Sequence, residues 1–321
     1  MKYLIFGGSG FIGIHLTQLI KKIDPESKIY NLDVVENNHD GQSIYIYCDV
    51  REKINLEIPI SEEDIIFNLA AIHKTPGHPN YAYFETNING AENICEFARN
   101  YKINKILFTS SIAPYGASEE LKTENTLPMP NTPYGISKLV AEKIHMIWQI
   151  ENINRTLVIV RPGVVFGKGE NGNFTRLYWS IRKHRFFYPG RKDTIKAAIY
   201  VKDLVNFMLF QVKSQTSGYR LFNCTYEPAY TIEQIVECMA KVTGLKPPYL
   251  KINAKLMLIA SKIIGFLGGK KLGIHPERVK KLMISTNICG YKMVKTNYQF
   301  RYTLEDAIKD WHKDNDNKYL L

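Results

Sequence analysis

Lys2-Tyr3-Leu4-Ile5-Phe6 opens the chain as a nearly unbroken apolar run, the pattern of a strand covered on both faces. After a glycine-rich break, Ile12, Leu16, Leu19 and Ile20 recur at helical spacing and predict a helix over 11–22. The two patterns then alternate. Strands are predicted at 2–6, 28–33, 44–48, 64–69, 103–109 and 155–161, with helices at 11–22, 81–100 and 132–151. Such alternation implies a parallel sheet with helices on both faces, a doubly wound α/β domain.

From about residue 165 the pattern loosens. Gly167-Lys168-Gly169-Glu170-Asn171-Gly172-Asn173 is a polar, glycine-rich loop, and a basic aromatic stretch follows it as far as Pro189-Gly190. A strand–helix unit returns at 195–213, and helices are predicted at 231–243, 254–267, 276–284 and 304–314. The expected organisation is a first domain over 1–163 and a smaller α/β domain over 164–321. Residues 195–225 are expected to return to the first. There is no internal repeat, low-complexity tract or flexible linker, and 321 residues suffice for an ample core.

The break after the first strand reads Gly7-Gly8-Ser9-Gly10-Phe11-Ile12-Gly13. Gly7 permits a tight turn, Gly10 lets main-chain N–H groups approach a pyrophosphate, and Gly13 packs the new helix on the sheet. A helix N-terminus presents free N–H donors to phosphates. This spacing between strand and helix predicts a dinucleotide site. Asp33 closes the second strand twenty residues beyond Gly13, the offset of an acid that holds a ribose 2′-hydroxyl. A carboxylate there repels a 2′-phosphate, so NAD is expected rather than NADP.

Charge and cysteines narrow the setting. The net charge of +11 suits nucleic acid, an anionic membrane surface or an anionic substrate, but it is spread along the chain without a compact aromatic-basic motif, so a solvated basic surface is expected ahead of nucleic-acid binding. Five scattered cysteines form no CxxC pair, and no His, Cys or Asp spacing suggests a metal; His73, His78 and His145 read as ordinary packing or loop histidines. No signal peptide opens the chain, so a reducing cytoplasm is expected. The apolar stripe Leu256, Ile259, Ala260, Ile263, Ile264 and Leu267 is too short to span a bilayer.

Strand 103–109 runs into Ser110-Ser111, at the carboxyl edge where ligands sit in such sheets. Tyr134 and Lys138 stand four apart on a predicted helix and so share a face. A neighbouring ammonium favours phenolate, so Tyr134 is expected below its ordinary ~10 and usable as an acid–base toward a hydroxyl.

These motifs together resemble the extended short-chain dehydrogenase/reductases, the NAD-dependent epimerases, dehydratases and reductases of nucleotide sugars. The resemblance rests on Gly7-x-x-Gly10-x-x-Gly13, Asn68-Leu69-Ala70-Ala71, Thr109-Ser110-Ser111 followed by Tyr115-Gly116, and Pro133-Tyr134-Gly135-x-x-Lys138. Arg161-Pro162-Gly163-Val164-Val165-Phe166-Gly167, Tyr200-Val201-x-Asp203-Leu204 and Arg278 extend it over nearly the whole chain. It implies that Ser111, selected over Ser110 by its distance from Tyr115-Gly116, holds the reacting oxygen. Tyr134 would move the proton, and Lys138 would bind the nicotinamide ribose. Gly7, Gly10, Phe11, Ile12, Gly13, Asp33, Asp49, Val50, Asn68, Ala70 and Ala71 would contact the cofactor. Asn173, Lys196, Tyr200 and Arg278 would grip a nucleotide diphosphate, expected to be UDP. A homodimer through the helix carrying Tyr134–Ile150 is also implied; the apolar face Leu139, Ile144, Ile147 and Trp148 is compatible with it and equally with packing in the core.

Dehydratases of this family place Asp-Glu after the catalytic Ser or Thr; Ile112-Ala113-Pro114 offers no carboxylate, which disfavours dehydration and decarboxylation. Two reactions remain. A 4-epimerase with retained NAD, working through a 4-keto intermediate, is favoured by Asp33 and is the expected reaction. A 4-ketoreductase of a UDP-linked 4-keto-6-deoxy-N-acetylhexosamine is favoured by Val164 and by the stretch through Asn173 and Lys196 to Tyr200. Two further classes stand beside them: a non-catalytic NAD-sensing or nucleic-acid-binding relative, and a membrane-associated sterol-type dehydrogenase.

Overall fold

The computed structural model describes residues 1–36, 41–73, 77–213, 217–253 and 283–321. The predicted helix 254–267 with its apolar stripe, most of the predicted helix 276–284, and Arg278 lie outside the described residues.

In chain order the elements begin with β1 (Lys2–Phe6), α1 (Phe11–Ile23), β2 (Lys28–Asp33), β3 (Ile44–Tyr47), β4 (Ile65–Asn68), α2 (Asn80–Phe84) and α3 (Gly90–Asn100). They continue with β5 (Lys105–Thr109), β6 (Ser118–Lys122), α4 (Pro133–Ile150), β7 (Thr156–Pro162), β8 (Val164–Phe166), α5 (Asn173–Arg182) and β9 (Tyr188–Pro189). Then come β10 (Ile195–Lys196), β11 (Ala198–Tyr200), α6 (Val201–Lys213), β12 (Gly218–Cys224), β13 (Tyr230–Thr231), α7 (Ile232–Val242), β14 (Lys251–Ile252) and β15 (Thr286–Ile288). Helices Tyr291–Val294 and Leu304–Lys313 follow.

The chain divides into two compact units. The first comprises residues 1–116, 124–162 and 201–224. Its seven strands run in the order β12-β7-β5-β4-β1-β2-β3, and every neighbouring pair is parallel. The reversal of direction between β1 and β4 creates the crevice in which doubly wound sheets bind ligands. One face of the sheet packs Leu4, Phe6, Leu32, Ile66, Ile106, Phe108, Leu157 and Ile159 against Ala91, Ile94, Cys95 and Ala98 of α3 and against Ala141 and Trp148 of α4. Each large apolar side chain taken from water there contributes roughly 1.5–3 kcal/mol.

The helix predicted over 81–100 is interrupted. Residues Glu85–Asn89 form a π-helical turn between α2 and α3, which turns Asn87 inward. Its amide accepts from the Ile72 N–H at 3.0 Å, and donates to the Ile72 carbonyl at 3.2 Å and the Ser137 hydroxyl at 2.8 Å. That clamp fixes the loop beyond β4. Apolar periodicity carries no trace of it.

The second unit comprises residues 117–123, 163–200 and 225–321. It holds a four-stranded sheet in the order β13-β10-β15-β6 and the parallel pairs β8–β11 and β9–β14. Phe166 stacks on Phe174 at 4.4 Å, with Tyr200, Tyr226 and Trp311 around it. The return to the first unit starts at Val201 rather than at 195, because Ile195–Lys196 and Ala198–Tyr200 pair as strands within the second.

Candidate active site

The cofactor-type residues meet at the carboxyl ends of β1, β2 and β4. Gly7 has φ +79°, and a Cβ there would lie 2.6 Å from the Ala70 nitrogen, so only glycine lets the turn touch the segment after β4. A Cβ on Gly13 would lie 2.5 Å from the Gly8 oxygen, so α1 needs its glycine to seat on the turn. Gly10 caps α1 with no side chain bonded to the helix end, and the first turn carries no acidic residue. The helix thus keeps its N–H donors for an anion. Asp33 accepts from the Ser9 N–H at 3.1 Å and the Val35 N–H at 3.1 Å, which holds its carboxylate beside the same turn. This cradle fits a dinucleotide, and Asp33 fits an unphosphorylated ribose.

Other predicted cofactor residues are arranged less uniformly. Asp49 is held well below the usual carboxylate range by Arg51, whose guanidinium reaches it at 2.5 Å, while Val50 is buried against Gly90. Ala70 and Ala71 are half-buried. Asn68 is buried, and its amide donates to His145 Nε2 at 3.3 Å. The His145 Nδ1–H bonds the Ala141 carbonyl at 2.8 Å, and burial pulls that imidazole down to about 4. His145 is therefore a neutral residue with a fixed tautomer.

Ser111, Tyr134 and Lys138 are brought together by a second glycine. A Cβ on Gly135 would lie 2.7 Å from the Ala113 carbonyl oxygen, so Gly135 lets the first turn of α4 press onto the short turn Ala113–Tyr115 after β5. Thr132 accepts from the Gly135 N–H at 3.1 Å and starts the helix beside that turn. Ser111 accepts from the Ala113 N–H at 3.1 Å, and its hydroxyl lies near enough to the Tyr134 phenol to favour the phenolate. Ser110 faces away, buried, and donates to Glu142 at 2.5 Å.

The protonation states differ from expectation. Burial pushes the Tyr134 phenol up to about 12, with only the Ser111 hydrogen bond pulling it down. The expected lowering by Lys138 is not produced. Burial also draws the Lys138 ammonium down to about 7, Glu142 opposing, and its Nζ lies 4.4 Å from the centre of the Phe108 ring. Desolvation thus outweighs the mutual effect that helical spacing suggested.

Residues 3–224 match the family described as NAD dependent epimerase/dehydratase. The chain belongs to that family. It is an enzyme of the extended short-chain dehydrogenase/reductase type, as its full set of motifs implies. The N-acetyl-alpha-D-glucosaminyl-diphospho-ditrans,octacis-undecaprenol 4-epimerase of Escherichia coli O157:H7 is 28% identical over 309 residues, covering 95% of this chain and 92% of that protein. A UDP-glucose 4-epimerase of Lactobacillus helveticus is 25% identical over 280 residues, covering 78% and 84%. In fold, the chain is similar to the UDP-glucuronic acid 4-epimerase from Bacillus cereus in complex with NAD, with TM-score 0.72 at 20% identity over 98% of this chain and 99% of that one.

In this epimerase/dehydratase family member, the residues expected to grip substrate fall in the second unit. Asn173 is exposed at the start of α5, where its side chain accepts from Arg176 at 3.1 Å. Lys196 Nζ donates to the Ile284 carbonyl at 2.6 Å, and burial lowers it to about 8. Tyr200 is fully buried in the aromatic core of that unit, and its hydroxyl donates to Asp310 at 2.6 Å.

Motif reasoning missed one buried assembly. Arg161 bonds Glu142 at 2.8 and 2.5 Å, lies over the Tyr115 ring at 4.7 Å, and Tyr115 donates to Asn223 at 2.9 Å. Glu142 stands one turn beyond Lys138, a signal visible in the sequence as a carboxylate on the inward stripe of α4. Among the described residues, no cluster suits a metal and no helix is long and apolar enough to cross a membrane.

Proposed function

We propose that this protein is a 4-epimerase acting at C4 of a hexose linked to a diphosphate, UDP being the expected carrier, with NAD as its cofactor. The observation that carries the reading is the Tyr134 phenol buried next to the Ser111 hydroxyl at the carboxyl edge of the sheet, in the same unit as a glycine turn and an acid suited to NAD. The 4-epimerase names of relatives, one spanning 95% of this chain, favour epimerisation over a single reduction.

Gly7, Gly10, Phe11, Ile12, Gly13 and Asp33 would hold the adenosine and pyrophosphate of the cofactor, with Asp49, Val50, Asn68, Ala70 and Ala71 along its path. When bound, NAD supplies a reversible acceptor for the hydride on C4. Ser111 orients the C4 oxygen by hydrogen bonding. Tyr134 takes the hydroxyl proton as C4 is oxidised and returns it when the carbonyl is reduced from the other side, so protons and electrons balance over the cycle. Lys138 would hold the nicotinamide ribose of the bound cofactor. The Ile112-Ala113-Pro114 turn brings no carboxylate next to Ser111 in the chain, so water loss from the sugar has no base from that turn.

The Escherichia coli relative favours a second carrier, a polyprenol diphosphate in place of UDP, because its name specifies that substrate. The net charge of +11 suits either diphosphate. We also infer a cytoplasmic homodimer through α4. Trp148 of the face first expected is buried, Leu139 and Ile144 are half-buried, and the exposed stripe is Ile136, Val140, Ile147 and Ile150.

Purified protein incubated with UDP-N-acetylglucosamine or with the polyprenol-diphosphate-linked sugar, without added cofactor, is expected to form the C4 epimer of one of them, read by NMR. Consumption of added NADH with a 4-keto sugar, and no epimer from either carrier, would establish a reductase instead.

A further inference from the structure

We propose that the second unit carries a docking surface for an anionic lipid membrane, formed by Arg182, Lys183, Arg185, Tyr249, Leu250 and Lys251. The proposal stands apart from the choice of hexose or carrier. Helix α5 ends at Arg182; His184 takes a left-handed φ of 52°, and the Arg185 N–H returns to the Ser180 carbonyl at 2.8 Å. That closure leaves Arg182, Lys183, His184 and Arg185 exposed in succession.

A helix C-terminus favours cations through its dipole, which accounts for basic residues at this position. It does not account for the apolar side chains next to them. Strand β14 pairs parallel with β9, with Lys251 opposite Tyr188 and the Tyr188 N–H on the Leu250 carbonyl at 3.0 Å. This pairing holds Leu250, with Tyr249 just before it, at Tyr188, three residues beyond the end of the basic run. Tyr249 is 76% exposed and Leu250 50%. Lys246 and Lys251, also exposed, extend the positive charge. Of the acids near β9, Glu233 is held by Lys192 at 2.7 Å and Asp193 by Arg191 at 2.7 Å, while Glu237 remains exposed.

The choice between a membrane and a nucleic acid rests on what the aromatic groups do. Trp179 and Tyr319 already stack on each other at 5.5 Å, with the Arg182 guanidinium over both rings, so they are not splayed for bases. The apolar group left protruding is an aliphatic leucine beside a tyrosine, suited to the boundary between headgroups and acyl chains. Lysine and arginine stems lie along such a boundary while their charges meet anionic headgroups.

The test is co-sedimentation of the full chain with vesicles of phosphatidylcholine alone or with about one third phosphatidylglycerol. Binding is expected only to the anionic vesicles. The Lys183→Glu/Arg185→Glu/Lys251→Glu variant should lose it by more than about tenfold, and Leu250→Asp by several-fold, each with its thermal transition preserved. If the triple variant fails to fold, Lys183→Gln/Arg185→Gln should show a smaller loss in the same direction. The proposal is overturned if the parent does not pellet with anionic vesicles, if the folded charge variants pellet undiminished, or if the surface instead binds duplex DNA and leaves vesicles unbound.

Discussion

Lys138 is 2% exposed, and burial brings its ammonium from an ordinary 10.5 to about 7. The unfolded chain keeps that proton up to 10.5, while the folded chain gives it up near 7, so unfolding takes up a proton between the two. Stability from this group therefore rises with pH across that window, and its cost is fully present below pH 7. Lys138→Met, which keeps the stem and removes the charge, is expected to be more stable than the parent near pH 7 by on the order of a few kcal/mol. The gap should close as pH approaches 10.5, as read from urea unfolding of both proteins at several pH values. Tyr134 calls for a different measurement. Its ring lies 6.3 Å from that of Tyr83, a packing contact that does not involve the hydroxyl. Tyr134→Phe should therefore unfold like the parent and retain cofactor, while turnover falls by about 10²–10⁴. Unchanged turnover would remove Tyr134 from the chemistry.

Helix α4 is the element that ties these side chains to the sheet. It carries Tyr134, Lys138, Glu142 and His145 inward, so its register decides the position of all four at once. Glu142 anchors it to β7 through Arg161, in a pair whose side chains are only 2% and 4% exposed. Burial alone would lower the Arg161 pKa, yet the hydrogen bonds and charge of Glu142 hold it above its ordinary value. Glu142→Gln leaves a buried guanidinium without its counter-charge and is expected to cost ~3–5 kcal/mol in chemical denaturation. Replacing both partners by methionine should recover most of that loss, since two buried charges are then removed together. A double variant no more stable than Glu142→Gln would show that the pair's worth lies in geometry that methionine cannot reproduce.

At the scale of the whole molecule, the outward stripe of α4 bears on assembly. Ile147 and Ile150 are 54% and 75% exposed, more than a solvated helix face requires. Light scattering is expected to give twice the chain mass for the parent and the single chain mass for Val140→Glu/Ile147→Glu. A parent of single-chain mass would end the homodimer reading. The same helix shows how far sequence reaches. Its extent was predicted to within a residue at each end, because an apolar stripe and Pro133 mark it locally. The pattern leaves open which of its apolar residues face in: Trp148 goes to the core and Ile147 to the surface, a distinction of one position that periodicity does not resolve. Likewise the glycine turn, Asp33 and the Ser111, Tyr134 and Lys138 set are legible because backbone sterics and helical spacing act over a few residues. The π-helical turn at Asn87, the burial of Tyr200 against Asp310 and the Arg161–Glu142 pair join residues far apart in the chain, and no local pattern encodes them. Sequence by itself determined the doubly wound sheet, the glycine turn and the candidate reactive groups, since each follows from neighbours along the chain. Tertiary structure alone decided their protonation, because desolvation of Tyr134 and Lys138 depends on what the folded chain packs around them and overrides their mutual charge.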